Sequence, residues 1–379
     1  VREDPKRPGL LYAGTETGLQ ISLDGGQSWQ PFQLNLPVVP INDLTIRQND
    51  LVAATAGRSF WILDDLSPLQ QQRQEGESTF LANPRDTYLY VGGSSQGPGI
   101  GQNPKSGVIL DYYLEKPTDS SEISLAILDG GTAIRTYTNK SPGDFKTWPG
   151  GPPKPEILPS KHGFNRFVWD FRRDALPAVE KVFVFGDYRG SQVAPGTYTA
   201  RLTVDGQQTE RTFRVLPHPG IDAPPDAYRN QQEALAKIDA AIRDMHNAVG
   251  QLRKVSSQIK SYESLLEGND TAKPLLKKGE ALKDRITQWE ESLIQPRQKT
   301  FQDVINFNNR LNAELMYLRS FIDVAEPTLT QGARDRLADL IREWGTLSKE
   351  RDAIVGEGMA EFNALYRELD LPALILKEE

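Results

Sequence analysis

The sequence of 379 residues contains no cysteine and only three histidines and three methionines. Without a thiol there is no disulfide, thiolate nucleophile, cysteine-ligated zinc or iron–sulfur cluster. His162, His218 and His246 stand in three separate contexts with no i, i+4 pairing, so neither a metal site nor a triad is indicated and no cofactor or metal is expected. No apolar run approaches the roughly 18–20 residues that cross a bilayer, and no membrane span is expected. Basic charge is also short. The 44 Lys and Arg face 51 Asp and Glu, a net charge of −7, which is the wrong sign for a surface that releases counterions from a phosphate backbone. Nucleic acid is not an expected partner.

What is present is the balance of a globular chain, 38% hydrophobic and 25% charged. Its length exceeds one ordinary core, so a multidomain protein of β plus α class is expected. Val1 is not followed by a charged and then apolar leader, which places any secretion signal upstream. Residues 1–69 read as a meander of six short strands with turn signals at Gly25-Gly26 and Asn49-Asp50. The second half repeats the first in outline, "LLYAGTETGLQIS" against "DLVAATAGRSFWIL", as stacked propeller blades do. The Gln-rich stretch 70–78 is a linker candidate. Residues 79–219 give about seven further strands. They close on a hairpin in which Tyr198, Ala200, Leu202 and Val204 alternate with polar residues around an Asp205-Gly206 turn, the pattern of an immunoglobulin-like β-sandwich. Trp169 and Tyr198 are expected to face inward there.

From 222 to 379 the composition turns to helix formers. Leu235, Ile238, Ile242, Met245, Val249, Leu252, Ile259, Tyr262 and Leu266 follow a 3–4 spacing, and Leu337, Leu340, Trp344, Leu347, Ile354, Phe362 and Leu365 nearly the same one. Two long helices are predicted from these seams, with shorter ones at 271–293 and 301–324 between them, making a C-terminal antiparallel helical bundle.

The octapeptide "SLDGGQSW" at 22–29 concentrates an acid, hydroxyls, two glycines and an indole. Its spacing, Ser22, Asp24, Gly26 and Trp29, resembles the Asp-box of neuraminidase-type (BNR) repeats, carried on the turn between the third and fourth strands of a propeller blade. With "DLVAATAGRSFWILDDLSPL", "FVWDFRR", "APGTYTARLTVDGQQTERTFRVLPHP" and the helical tail, the chain resembles the C-terminal part of a sortilin-type BNR-repeat β-propeller protein of the large secreted bacterial, glycosyl hydrolase-like group. The resemblance implies that residues 1–69 are closing blades of an incomplete propeller, with Ser22, Asp24, Gly26 and Trp29 marking the fold and not the site. It implies a secreted, periplasmic or cell-surface location, and a ligand-binding rim opposite the box. Glu16 and Arg58, on the turns 15–18 and 56–59, project from that rim and are the candidate ligand-face residues.

Other motifs read as structural. "GSSQG" at 93–97 has the form of a nucleophile elbow, but Pro98, Gly99, Gly101 and Pro104 leave no helix to follow it. Asp64-Asp65 are neighbours at a strand end and point to opposite faces, and Asp170 and Asp174 flank two arginines, so neither pair converges as a glycosidase requires. The expected role is therefore non-catalytic binding or scaffolding, with the upstream propeller portion or another chain as partner and a protein or glycan as ligand. The alternatives are support for a glycoside hydrolase or lyase whose catalytic residues lie upstream, and a structural subunit of a large extracellular assembly.

Overall fold

A computed structural model describes residues 1–71, 77–90, 92, 97 and 103–371. The fold is mixed β plus α, with several antiparallel sheets followed by a C-terminal helical region. Among the described residues no sheet closes into a barrel or a propeller. The chain forms two compact units, one of Val1–Ser141, Glu156–Phe171 and Pro195–His218, the other of Pro142–Pro155, Arg172–Ala194 and Pro219–Glu379. Two segments inside the range 79–219 thus belong to the helical unit and not to the strands around them.

The first unit opens with two meanders. β1 (Arg2–Glu3), β2 (Leu11–Thr15), β3 (Gly18–Ser22) and β4 (Gln30–Pro31) form one sheet in sequence order, and β5 (Ile41–Arg47), β6 (Asp50–Thr55) and β7 (Phe60–Leu63) form another. That is seven strands where six are read from the sequence, because β1 has only two residues and carries no pattern of its own. The β5–β6 turn is centred one residue earlier than expected: Gln48 and Asn49 take the positive φ of a two-residue hairpin, and Asp50 pairs with Arg47. The sheets pack closely at Gly14, where a Cβ would come within 2.6 Å of the Ile41 side chain. Leu10, Tyr12, Leu19, Ile21, Leu44, Leu51 and Leu66 fill the core beneath them. α1 (Ser67–Gln70) follows. Residues 72–76 of the Gln-rich linker lie outside the described residues.

Two more sheets complete this unit. β8 (Thr79–Leu81), β10 (Val108–Leu114) and β13 (Gly163–Trp169) make a three-stranded sheet in the order β13-β10-β8. β9 (Thr87–Tyr88), β11 (Ile123–Asp129), β12 (Thr132–Thr138), β14 (Gly196–Val204) and β15 (Gln207–Leu216) make a five-stranded one, antiparallel except where β9 runs parallel to β15. The β14–β15 hairpin turns at Asp205-Gly206, both with positive φ, as expected. Trp169 on β13 is fully buried and meets Tyr198 of β14 edge-on at 5.6 Å and Phe213 of β15 at 6.0 Å, so one aromatic cluster joins the two sheets.

In the second unit α2 (Pro225–Leu265) buries the expected seam from Leu235 to Ile259. Pro224 and Pro225 fix its start, where a missing N–H costs nothing. α3 (Lys273–Leu293) agrees with the predicted 271–293 once its first turn, a 3-10 turn over Asp270–Ala272, is included. The helix expected over 301–324 is instead a 3-10 turn, Phe301–Ile305, and the shorter α4 (Leu311–Ile322). The last long helix is interrupted: α5 (Gln331–Ala353) passes through a π turn, Ile354–Gly358, into α6 (Met359–Glu368). No helix among the described residues is long and apolar enough to cross a membrane.

Candidate functional site

The octapeptide is a self-satisfied turn between β3 and β4. The Ser22 hydroxyl donates to Asp24 Oδ1 at 2.8 Å and accepts the Gly26 N–H at 2.8 Å. Asp24 in turn accepts the Ser28 N–H at 2.9 Å and the Ser28 hydroxyl at 2.5 Å. Gly25 and Gly26 have φ of 75° and 93°, and the Gly25 N–H reaches back to the Gly9 carbonyl at 2.9 Å. Trp29 lies beside Gly26 but keeps 40% of its surface in solvent, so it covers the turn only in part. With both oxygens of Asp24 occupied by the turn itself, the carboxylate has little capacity left for a ligand.

The hydrogen bonds from Ser28 and Ser22 hold the Asp24 carboxyl down to about 2. A carboxylate lowered in the folded state stabilises above its unfolded value near 3.8, and that contribution is lost as pH falls toward 2. Asp24→Ala should therefore lower the Tm at neutral pH, with the gap to the parent closing between about pH 4 and pH 2. A gap that stays constant down to pH 2 would mean that the turn does not depend on the charged form.

Glu16 and Arg58 are exposed on the β2–β3 and β6–β7 turns, at the strand ends away from the Ser22–Trp29 turn. Thr15 and Thr55 organise these turns in the same way, each hydroxyl donating across to a carbonyl, of Gly18 at 2.9 Å and Ser59 at 2.6 Å respectively. The Arg58 carbonyl accepts the Trp61 indole N–H at 3.0 Å, and among the described residues no carboxylate pairs with the Arg58 guanidinium.

Beside Arg58 the second sheet ends at β7, on whose outer edge no further strand pairs among the described residues. The Thr55 backbone N–H also donates to the Ser59 carbonyl at 3.1 Å, so the pairs Ala53–Trp61 and Leu51–Leu63 carry the ladder, and the N–H and C=O groups of Phe60 and Ile62 point outward. The two residues are 73% and 59% exposed. In the first sheet the corresponding edge, that of β3, is paired by β4.

The remaining sequence candidates do not converge. Asp65 is buried with φ of 60° and accepts from Asn49, Ser67 and the Ser67 N–H. Asp64 lines a groove of about 530 Å³ with Lys105, Glu156 and Arg166. Burial, and then the charge of Asp50, push its carboxyl up. Arg166 is not free to bind an anion in that groove: Nε and Nη2 grip Asp111 at 2.9 and 3.0 Å, and Nη1 donates to the Asp64 carbonyl at 2.9 Å. Asp170 and Asp174 fall in different units. Nδ1 of His162 is bonded to the Glu115 carbonyl, His218 lies against Tyr90, and His246 is buried with Nδ1 on the Pro177 carbonyl at 2.7 Å. Residues 93–96 of "GSSQG" lie outside the described residues. Among the described residues no group of His, Asp and Glu could hold a metal ion.

The sequence did not reveal two arginine networks. Arg166 ties β13 to Asp111 on β10 and to the chain after β7, inside the first unit. In the second unit Arg319 on α4, with its side chain 3% exposed, donates to Asp239 at 2.6 Å and to the carbonyls of Asp187 and Arg189 at 3.0 and 2.6 Å. The available signal is a charge on an apolar helical face: Asp239 lies four residues after Leu235 and three before Ile242 on α2, and Arg319 four after Leu315 and three before Ile322 on α4. No protein-family model, curated protein or solved structure matches the chain.

Proposed function

We propose that this chain is a binding and scaffolding portion of a larger β-propeller protein, acting outside the cytoplasm at the periplasm or cell surface, with no catalytic centre of its own. In this reading the first two sheets are closing blades, the sheets joined by Trp169 are an immunoglobulin-like sandwich, and the helices are an antiparallel bundle. The observation that carries it is the unequal pair of sheets. The Asp-box turn leads from the third to the fourth strand of the first sheet, while the matching second sheet stops at β7, whose outer edge is unpaired among the described residues. An open edge of this kind is a template for one more strand. The upstream part of the same protein, or another chain, supplies that strand, and the rim bearing Glu16 and Arg58 receives a protein or glycan ligand.

An unpaired edge also has a consequence for the isolated chain. It should self-associate as concentration rises, read by light scattering. Ile62→Pro removes the outward N–H and no bond of the β6–β7 ladder, and should leave the chain monomeric with its Tm retained. A parent that stays monomeric at high concentration would contradict an accessible edge.

A further inference from the structure

Two stretches carry the Asn-x-Ser/Thr pattern read by oligosaccharyltransferases, Asn139-Lys140-Ser141 and Asn269-Asp270-Thr271. The fold treats them in opposite ways. Asn139 is half-buried, its Oδ1 accepting the Ile123 N–H at 3.1 Å and its Nδ2 donating to the Ser121 carbonyl at 2.9 Å. Its amide nitrogen is therefore bonded inside the first unit and cannot reach a sugar donor. Asn269 stands in the loop joining α2 to α3, with Asn269, Asp270 and Thr271 all exposed.

Gly268, just before Asn269, has φ of 84°, and a Cβ there would meet open space. Asn269 Oδ1 accepts the Thr271 N–H at 3.0 Å and the Ala272 N–H at 3.3 Å. The amide is thereby held by its oxygen, and among the described residues nothing bonds its nitrogen or the Thr271 hydroxyl. The intervening Asp270 carboxylate is paired with Lys273 at 2.6 Å, which offsets its charge beside the acceptor.

We infer that Asn269 is an acceptor for an N-linked glycan and that Asn139 is not. In the transfer, Asn269 Nδ2 forms a bond to C1 of a lipid-linked oligosaccharide. The bond from C1 to the pyrophosphate oxygen breaks, the lipid pyrophosphate leaves, and one amide proton is lost to solvent. No oxidant or reductant is involved.

The test uses the folded chain, a purified bacterial oligosaccharyltransferase and a lipid-linked oligosaccharide, with an acceptor peptide as the activity control. Intact mass should rise by one glycan, mapped to Asn269. Asn139→Gln should be modified like the parent. Asn269→Asp keeps an oxygen for the Thr271 N–H and should show no mass increase, as should Thr271→Ala. A folded chain left unmodified at Asn269, whether or not the excised peptide accepts the glycan, overturns the inference, as does transfer to Asn139.

Discussion

Replacing Trp169 by alanine should lower the stability of the first unit by about 3–5 kcal/mol, the usual range for truncating a buried aromatic. The indole is completely buried, and its ring neighbours come from three directions: Phe171 beyond the end of its own strand, Tyr198 on β14 and Phe213 on β15. Backbone also crowds this site. Gly107 has φ of 149°, and a Cβ there would meet the Trp169 carbonyl at 2.2 Å, so the chain has little freedom to collapse into the cavity left behind. Trp169→Phe, which keeps part of the ring contact, should lose much less. Urea titration followed by amide exchange in β10 and β13 separates this unit from the helical one. A Trp169→Ala variant with parental stability would mean that the two sheets are held together by something else.

The second large effect is expected at Arg319. Its guanidinium serves Asp239 and two backbone carbonyls of the 187–191 loop, and the Ser191 hydroxyl donates to the other oxygen of Asp239. Arg172 and Asp323 pin the same loop at 2.8 Å, with Asp323 also accepting the Gln192 N–H at 3.0 Å. Arg319→Ala strands a carboxylate and two carbonyls without their donor, and breaking a buried pair from one side costs about 3–5 kcal/mol. Arg319→Lys should not rescue it, because an ammonium does not reproduce a planar fork spread over three acceptors. Helical circular dichroism in urea reads this unit. If Arg319→Met proves as stable as the parent while Arg319→Ala does not, packing and not polar satisfaction decides the site.

The parts of the fold that were legible are those with a strong local rule. The α2 seam was legible because each apolar side chain from Leu235 to Val249 repeats at helical spacing and is buried. The Asp205-Gly206 turn was legible because a two-residue hairpin needs positive φ at both positions. Trp169 and Tyr198 were legible from alternation, and both are buried as expected. The interruption after α5 was visible only as a spacing fault: Ile354 follows Leu347 by seven residues but Phe362 follows Ile354 by eight. The π turn over Ile354–Gly358 absorbs the extra residue. The two-residue β1 has no periodicity to read; only its partner defines it. The arginine networks were hidden for a different reason, since Arg166–Asp111 and Arg319–Asp239 join positions 55 and 80 apart. At the candidate site, the Asp-box spacing suggested a turn whose hydrogen bonds are now explicit, while the exposure of Phe60 and Ile62 followed from sheet order and not from residue type.

The most direct measurement for the role proposed here is amide hydrogen exchange at Phe60 and Ile62, taken once in residues 1–379 alone and once in the longer protein that the proposal requires. In the isolated chain both amides point away from β6 and should exchange quickly, while those of Trp61 and Leu63 are protected. In the longer protein a fourth strand on β7 should slow Phe60 and Ile62 to the rate of their neighbours. Rapid exchange at both residues in the longer protein would contradict strand addition at this edge, and with it the reading of the first two sheets as closing blades.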